Sequence, residues 1–176
     1  MELRPFIRQS GNQTRPQWHI GKRKLLDYLL VCVEHGTGRF TVGENSFQVG
    51  DGSVVWVPPD TVTEMRGNKD MQLMYLHFDL IYDPARSHWN AQIPSGTLDL
   101  SDFTDIIHPP ISDPVISQWS GLLDVKEPQK LYPLLQRICL EHCRHTSSEL
   151  ALSGMFLQFL AELCRATEQH DDTASI

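Results

Sequence analysis

One stretch, residues 50–59, constrains the fold of this chain more than any other segment. It begins with a Gly-Asp-Gly turn, continues with the apolar run SVVWV (53–57) and stops at Pro58 and Pro59. Glycine permits backbone angles that other residues avoid, and β-branched and aromatic residues suit a pleated strand. Consecutive prolines donate no ladder hydrogen bonds, so they end a strand. A tight turn, a buried strand and an abrupt stop are typical of a small β-barrel.

The flanking sequence predicts more short strands of the same kind. They cover residues 28–34, 39–42, 46–49, 63–66 and 71–79, and glycine-containing turns rather than helices separate them. In the last strand, the odd-numbered residues from Met71 to His77 form one face and the even-numbered residues from Gln72 to Phe78 form the other, and both faces are largely apolar. Two packed layers or a filled barrel bury both faces, whereas an open sheet leaves one in water. The predicted fold class is therefore mainly β, an antiparallel β-barrel or jelly roll with an α-helical tail.

The spacing around the two prolines resembles the second cupin motif, in which a glycine is followed by a proline, a second glycine and a metal-binding histidine. Gly52 and Pro58 match that motif, whereas Asp60 stands at the second glycine and Thr63 at the histidine. The surrounding sequence is similar to the N-terminal regulatory domain of AraC-family transcription regulators, in motifs spread over residues 15–80. The motifs are DYLL (27–30), EHGTG (34–38), GDG (50–52), VPP (57–59) and YLHF (75–78). The resemblance implies a cupin-like barrel that binds a small-molecule effector, followed by helices that pair two subunits.

The resemblance and the periodicity together divide the chain into five parts. Residues 1–17 mix prolines, glycine and polar residues without periodicity, which predicts an irregular N-terminal arm. In the AraC family such an arm can fold over the ligand pocket, and a frayed terminus is the alternative. The remaining parts are a cupin-like core over 18–83, an irregular proline-rich connection over 84–114, a helical dimerisation region over 115–168 and a linker or tail over 169–176. Within the helical region, helices are predicted over 115–123, 131–145 and 147–168.

The last predicted helix, over residues 147–168, carries two apolar stripes. The first consists of Leu152, Phe156, Phe159 and Leu163, and the second of Leu150, Leu157, Leu160 and Cys164. A helix that is apolar over so much of its circumference is seldom left in water, so the second stripe needs a partner. We therefore predict a homodimer through this helix, where the regulators that this chain resembles also pair their subunits. A helix buried inside one chain is the alternative.

Charge and composition limit the partners and the compartment. The 176 residues include 22 acidic and 15 basic side chains, for a net charge of −7. A DNA-binding chain is expected to carry a basic stripe for the phosphates, so DNA contact is expected only through a domain absent from this chain. The sequence shows no apolar run of about 18 residues and no signal peptide at its start, which predicts a cytoplasmic protein with no membrane partner.

The resemblance also implies where an effector would bind. Arg23, Met65, Leu73 and Tyr75 stand at positions that face ligand in sugar-sensing relatives. Met65 and Leu73 are apolar where a sugar binder carries aromatic or imidazole groups, which favours an effector more apolar than a sugar. Further candidates near the expected barrel mouth are Trp18, His19, Arg39, Trp56 and His77. For Trp56 the alternative is a place in the core, for Arg39 a solvated strand position, and for His77 a structural histidine.

The residues that would hold a cupin metal are incomplete. His19 has no His-x-His partner, Thr63 replaces the histidine of the second motif, and His77 is a lone imidazole. A cupin metal site needs several nitrogen and oxygen ligands on facing strands, so we expect no metal and no cofactor. Cys139 and Cys143 lie one helical turn apart, and buried thiols are a better interpretation than zinc ligands because no second ligand pair follows.

The sequence thus favours a non-enzymatic sensor. It would be the effector-sensing and dimerisation domain of an AraC-type transcription regulator, which binds a small molecule, a sugar or a more apolar metabolite, and controls an attached DNA-binding domain. The chain would be either a fragment or a stand-alone relative. The alternatives are a small metal-dependent cupin enzyme, such as a dioxygenase or a sugar isomerase, and a structural dimerisation module with a collapsed barrel.

Overall fold

A computed structural model describes residues 2–145 and 147–168 of the chain, with nine strands and two α-helices among them. The strands are β1 (Phe6–Arg15), β2 (Trp18–Lys24), β3 (Tyr28–His35), β4 (Gly38–Val42), β5 (Asn45–Val49), β6 (Val54–Val57), β7 (Val62–Gly67), β8 (Met71–Asp79) and β9 (Gly121–Leu123). The helices are α1 (Tyr132–Arg144) and α2 (Glu149–Thr167), and 3-10 turns lie at Ser101–Ile106, Ile116–Gln118 and Pro128–Lys130.

The strands form two antiparallel sheets. One has the order β1-β8-β3-β6-β9 and the other the order β2-β7-β4-β5. Tight turns connect neighbouring strands where the sequence predicts them: Gly43 adopts φ 61° in the β4–β5 hairpin and Gly52 φ 87° before β6, angles that favour glycine. The two antiparallel sheets, followed by two α-helices, confirm the predicted mainly β jelly roll with a helical tail.

The central strands of the five-stranded sheet, β3, β6 and β8, are buried on both faces. Successive side chains of a strand point to opposite faces, so each of these strands contributes to two cores. In β3, Leu29 and Val31 point between the sheets, whereas Tyr28 and Leu30 belong to a second core on the opposite face. Strand β8 follows the same rule, which confirms the inference that both of its apolar faces would be covered. The molecule therefore has one core inside the barrel and one between this sheet and the helices.

The two α-helices cover the outer face of the five-stranded sheet. Helix α1 buries Leu135 and Ile138 there, and α2 buries its first apolar stripe of Leu152, Phe156, Phe159 and Leu163. The Ser148 side chain caps α2 by accepting a 3.2 Å hydrogen bond from the backbone N–H of Ala151. The predicted helices over 131–145 and 147–168 are thus confirmed.

Two predictions about the fold were wrong, and one strand had no prediction. The N-terminal arm is not irregular, since β1 pairs with β8 from Phe6–Asp79 to Arg15–Met71. Residues 18–24, which carried no strand prediction, form β2 against β7. The predicted helix over 115–123 is a 3-10 turn followed by β9, which pairs with β6. In each case pairing with a strand distant in sequence decides the conformation. The connection over 84–114 is irregular as predicted, apart from one 3-10 turn, and the predicted tail over 169–176 lies outside the described residues.

Candidate ligand-binding site

A cavity of about 150 Å³ lies between the two sheets. Its floor is apolar, its wall carries three aromatic side chains, and charged groups meet at one side. The lining residues, grouped by chemistry, are Ile20, Leu25, Leu29, Val31, Met65, Leu73, Ala91 and Ile93; Trp18, Tyr75 and Trp89; Arg8, Arg15, Arg23, Asp27 and His77; and Gln9 and Gln92. An apolar cavity with a few converging polar groups is the usual form of a small-molecule site.

Two β-bulges lie next to arginines that line the cavity. In β1 the register shifts between Ile7 and Gln9, so that Arg8 is an extra residue and both Arg8 and Gln9 line the cavity. In β2 the register shifts between Ile20 and Arg23, where Gly21 and Lys22 lie opposite Glu64 alone. Regular alternation from Ile20 would turn Lys22 inward, whereas the bulge turns Arg23 inward and leaves Lys22 exposed.

The charged side of the cavity is built around Asp27, whose side chain is fully buried. Arg8 donates to one carboxylate oxygen from Nη2, and Nδ1 of His77 lies 3.3 Å from the same oxygen. Burial alone would raise the pKa of Asp27, but His77 and Arg8, through charge and hydrogen bonds, hold that pKa below its ordinary value. Asp27 is therefore an ionised carboxylate that neutralises Arg8.

The irregular connection closes the cavity beside these charges. Nη1 of Arg8 donates to the carbonyl oxygen of Trp89 at 3.1 Å, and its guanidinium carbon lies 3.5 Å from the centre of the Trp89 ring. Nη1 of Arg23 donates to the carbonyl oxygen of Ile93 at 2.6 Å. Both arginines thus hold the segment 89–93 against the barrel.

Two glycines provide room for two of the aromatic side chains. The Tyr75 ring lies over Gly11, where an added Cβ would stand 2.4 Å from Cε1 of Tyr75. The Trp18 indole lies over Gly67, where an added Cβ would stand 2.0 Å from Nε1 of Trp18. Each glycine is the cross-strand partner of its aromatic residue, so the close approach follows from the strand register.

The structure brings together six of the nine candidate ligand residues and separates three from them. The six that line the cavity are Trp18, Arg23, Met65, Leu73, Tyr75 and His77. His19 points outward and its Nε2 lies 2.8 Å from Oε1 of Glu64, and Arg39 is exposed on β4. Trp56 lies on the helix-facing side of the sheet, with its ring centre 5.0 Å from that of Trp119. Strand alternation explains all three positions, since each turns its side chain away from the barrel interior.

Sequence reasoning missed Arg8, Arg15, Asp27 and Trp89. Arg8 and Arg15 fall in the segment predicted to be an irregular arm, and Trp89 in the connection, where no periodicity places a side chain. Asp27 did carry a signal: it is a single carboxylate between apolar pairs, Leu25-Leu26 and Leu29-Leu30, with Tyr28 adjacent. A charge inside an apolar run is expected to be buried and paired.

The residues at the cupin metal position do not fit a metal. Thr63 is buried on β7 and its Oγ1 has no hydrogen-bond partner among the described residues, but a neutral hydroxyl is a poor substitute for an imidazole ligand. His19, the unpaired histidine of the first-motif region, points away from the barrel interior. Within residues 2–145 and 147–168, no three histidine, cysteine, aspartate or glutamate side chains converge in a way that could hold a metal ion.

A jelly roll with an internal cavity, an apolar floor and converging charges has the features typical of small-molecule-binding barrels. A family model described as the AraC-like ligand binding domain matches residues 11–175. This match covers most of the sequence, and the chain belongs to the AraC-like ligand binding domain family, as its motifs implied.

Solved structures with a similar arrangement include two bacterial proteins. Oxalate decarboxylase from Bacillus subtilis, solved at pH 4.6, is 16% identical with a TM-score of 0.35, and the match covers 43% of this chain and 22% of that one. A conserved protein of unknown function from Streptococcus pyogenes is 12% identical with a TM-score of 0.34, over 43% of this chain and 76% of that one. The chain thus spans less than a quarter of the decarboxylase chain. No curated protein matches this sequence.

Within the described part of the chain, no helix has both the length and the apolar character that a membrane span requires.

Proposed function

We propose that this chain is the effector-sensing and dimerisation domain of an AraC-type transcription regulator, acting in the cytoplasm without enzymatic activity. A small molecule would bind in the cavity between the sheets and control a DNA-reading domain joined to this one. The observation that carries the proposal is the cavity itself, with its apolar floor and its cluster of arginines and aromatic rings, in a chain of this ligand-binding family.

The cavity supports a sensor rather than a structural module with a collapsed barrel. Arg8 and Asp27 face it although burial of charge is costly, and a barrel that only held two subunits together would be more stable with apolar residues there. The metal-dependent enzyme has less support, since Thr63 and His19 do not form a ligand set.

The homodimer is proposed through the exposed face of α2. Leu150 is 84% exposed and Leu157 38% exposed, seven residues apart on that face. Gly154 lies between them, and apart from its adjacent residues and its own helix backbone no atom lies within 4 Å of the position of an added Cβ, so a second helix has room to approach. Of the four residues predicted to form the interface, only these two leucines remain in the proposal. Leu160 is 3% exposed because it belongs to the chain's own core, and Cys164 is half-buried against that core.

Thermal unfolding of the purified chain in the presence of small molecules tests the sensor proposal. A ligand that binds only the folded state stabilises it by about 2.7 kcal/mol at a hundredfold excess over its Kd, which raises the Tm of a chain of this size by roughly 5–11 °C. The panel should include neutral sugars, small apolar compounds and small organic acids.

A pair of variants on β2 shows whether a stabilising compound occupies the cavity. Ile20→Trp fills the cavity from its wall and should abolish the rise in Tm, whereas His19→Trp, one residue away on the outer face, should leave it unchanged. A compound that stabilises both variants equally binds elsewhere. If no compound in a broad panel stabilises the unmodified chain, the sensor proposal is wrong.

A further inference from the structure

The charge balance of the cavity is opposite to that of the chain. The whole chain has a net charge of −7. The cavity, in contrast, is lined by three arginines, Arg8, Arg15 and Arg23, and by a single carboxylate, Asp27. An acidic chain therefore concentrates positive charge at one internal place, and two of the three guanidinium groups there are left without a carboxylate of their own.

Arg8 is the arginine whose charge is already compensated. It forms an ion pair with the buried Asp27, donates to the carbonyl oxygen of Trp89 and stacks on the Trp89 ring. These contacts fix its guanidinium at the edge of the cavity. A ligand that took Asp27 away from Arg8 would leave a buried charge unpaired, so Arg8 is poorly suited to receive a second anion.

Arg23, like Arg15, has no ion-paired carboxylate among the described residues. Its Nη1 donates to the neutral carbonyl of Ile93, and its Nε is buried with no hydrogen-bond partner among the described residues. Within the same residues, no carboxylate lies within 4 Å of the guanidinium groups of Arg15 or Arg23. Burial lowers the pKa of Arg23, and so does the neighbouring charge of Arg15, against a raising effect of Asp27. A buried donor and an unpaired charge both gain free energy when an anion binds.

The remaining cavity surface and the cavity volume limit the size and polarity of the anion that fits. Leu29, Val31, Met65 and Leu73 form an apolar floor, and the Trp18 and Tyr75 rings form the wall. These surfaces offer few partners for the hydroxyl groups of a sugar. The volume, about 150 Å³, matches that of an apolar protein cavity that accommodates one benzene molecule.

We propose that the effector is a small organic monocarboxylate whose apolar body is about the size of one six-membered ring, and that Arg23 binds its carboxylate. This proposal rests on the effector-sensing function proposed above and names its ligand class. A guanidinium group presents paired N–H donors that match the two oxygens of a carboxylate, and the Arg23 side chain lines the cavity without an ion-paired carboxylate of its own. Arg15 adds a second positive charge, and the aromatic wall packs on the ring.

Paired acids and amides test the charge requirement in the unmodified chain. Benzoate and benzamide, phenylacetate and phenylacetamide, and hexanoate and hexanamide have nearly the same shape but differ in charge. We expect at least one acid to bind, as measured by titration calorimetry and by the rise in Tm, with roughly tenfold or greater preference over its amide. An amide that binds as tightly as its acid overturns the proposal.

Two matched variants then test the role of Arg23. Arg23→Gln should weaken binding of the preferred acid by roughly 10–100-fold, and Arg39→Gln, which changes an exposed arginine outside the cavity, should leave it unchanged. Arg23→Lys keeps the positive charge but loses the paired donors, so its affinity for the acid should lie between those of Arg23→Gln and Arg39→Gln. If Arg23→Gln does not fold, the acid and amide comparison still decides the charge requirement.

The outcomes separate this proposal from the sensor function on which it rests. Neutral compounds that stabilise the chain, lose their effect in Ile20→Trp and outbind every acid would contradict the carboxylate proposal and leave the sensor function standing. If acids bind equally well to Arg23→Gln, Arg23 is not the residue that receives the carboxylate and the proposal is wrong. If neither acids nor neutral compounds bind, both proposals fail.

Discussion

Asp27 is the residue on which the charged side of the cavity depends. Asp27→Asn would leave Arg8 buried without its carboxylate, and removing one partner of a buried ion pair costs about 3–5 kcal/mol. We expect this loss in the free energy of unfolding measured with urea at pH 7. Asp60→Asn is the matched control, because the Asp60 carboxylate is 56% exposed beside Lys24 and its loss should cost under about 1 kcal/mol. Equal effects for the two variants would contradict the structure.

The ionised Asp27 carboxylate should also make the free energy of unfolding decrease at acid pH. The pKa of Asp27 is held below its ordinary value in the folded state, so its contribution to stability is complete above the unfolded pKa of about 3.9 and is lost as the pH falls through the folded pKa. Urea unfolding between neutral pH and the acid limit should therefore show a steeper loss of stability in the unmodified chain than in Asp27→Asn.

His108 should add a second pH dependence at higher pH. Its Nε2 accepts hydrogen bonds of 3.1 Å from the backbone N–H groups of Leu80 and Ile81, and its Nδ1 donates to the carbonyl oxygen of Pro109 at 2.7 Å. This arrangement needs a neutral imidazole, and burial lowers the pKa of His108. Its contribution is complete above the unfolded pKa of about 6.5 and falls as the pH drops below that value. In His108→Asn we expect stability lower by about 1–3 kcal/mol at pH 7 and a smaller loss between pH 7 and 5, measured by urea unfolding. An unchanged slope would contradict the neutral, buried histidine.

The strands and helices that could be predicted from the sequence are those whose conformation is determined by local residue patterns. Strands β3 to β8 follow from alternation and glycine turns, and α1 and α2 from helical periodicity. Strand β1 carries Gly11 and mostly polar residues, and its conformation is fixed by pairing with β8, which no local pattern reveals. The candidate site divides in the same way: Leu73 and Tyr75 follow from the alternation of β8, whereas Arg8 lies on the unpredicted strand β1 and Trp89 on an irregular connection.

The close contact between β2 and β7 makes Gly67 a sensitive position. In Gly67→Ala the new Cβ would stand 2.0 Å from the Trp18 indole, which would have to move within the cavity. Overpacking of this kind costs about 1–3 kcal/mol, and the indole N–H resonance of Trp18 should shift in nuclear magnetic resonance spectra. Gly50→Ala is the control, because its Cβ would be 3.9 Å from the nearest atom outside the adjacent residues, the Gly36 carbonyl oxygen. This substitution should change stability by under about 0.5 kcal/mol. A Gly67→Ala variant with unchanged stability and an unshifted Trp18 resonance would show that this contact is not close.

Across the whole molecule, strand β8 joins the cavity to the helices. Its Tyr75 and His77 line the cavity, and on the opposite face Phe78 contacts Phe156 of α2, with ring centres 4.6 Å apart. A ligand that changed the position of this strand would therefore act directly on the helix proposed to pair two subunits. Such an effect requires that the ligand bind more tightly to one arrangement of the subunits than to the other.

The proposed pairing through α2 predicts a concentration-dependent dimer. Leu157→Glu and Leu150→Glu should each weaken it by roughly 10–30-fold or more, since truncation or charge at the centre of an interface costs about 1.4–2 kcal/mol or more. Sedimentation equilibrium over a range of concentrations measures this effect. Leu122→Glu, an exposed leucine on β9 at 44% exposure, is the control that adds the same charge elsewhere. Neither helix variant should lower the Tm of the monomer by more than a surface substitution does. A chain that stays monomeric at every concentration, or a dimer that Leu122→Glu weakens as much as Leu157→Glu does, would show that α2 is not the interface.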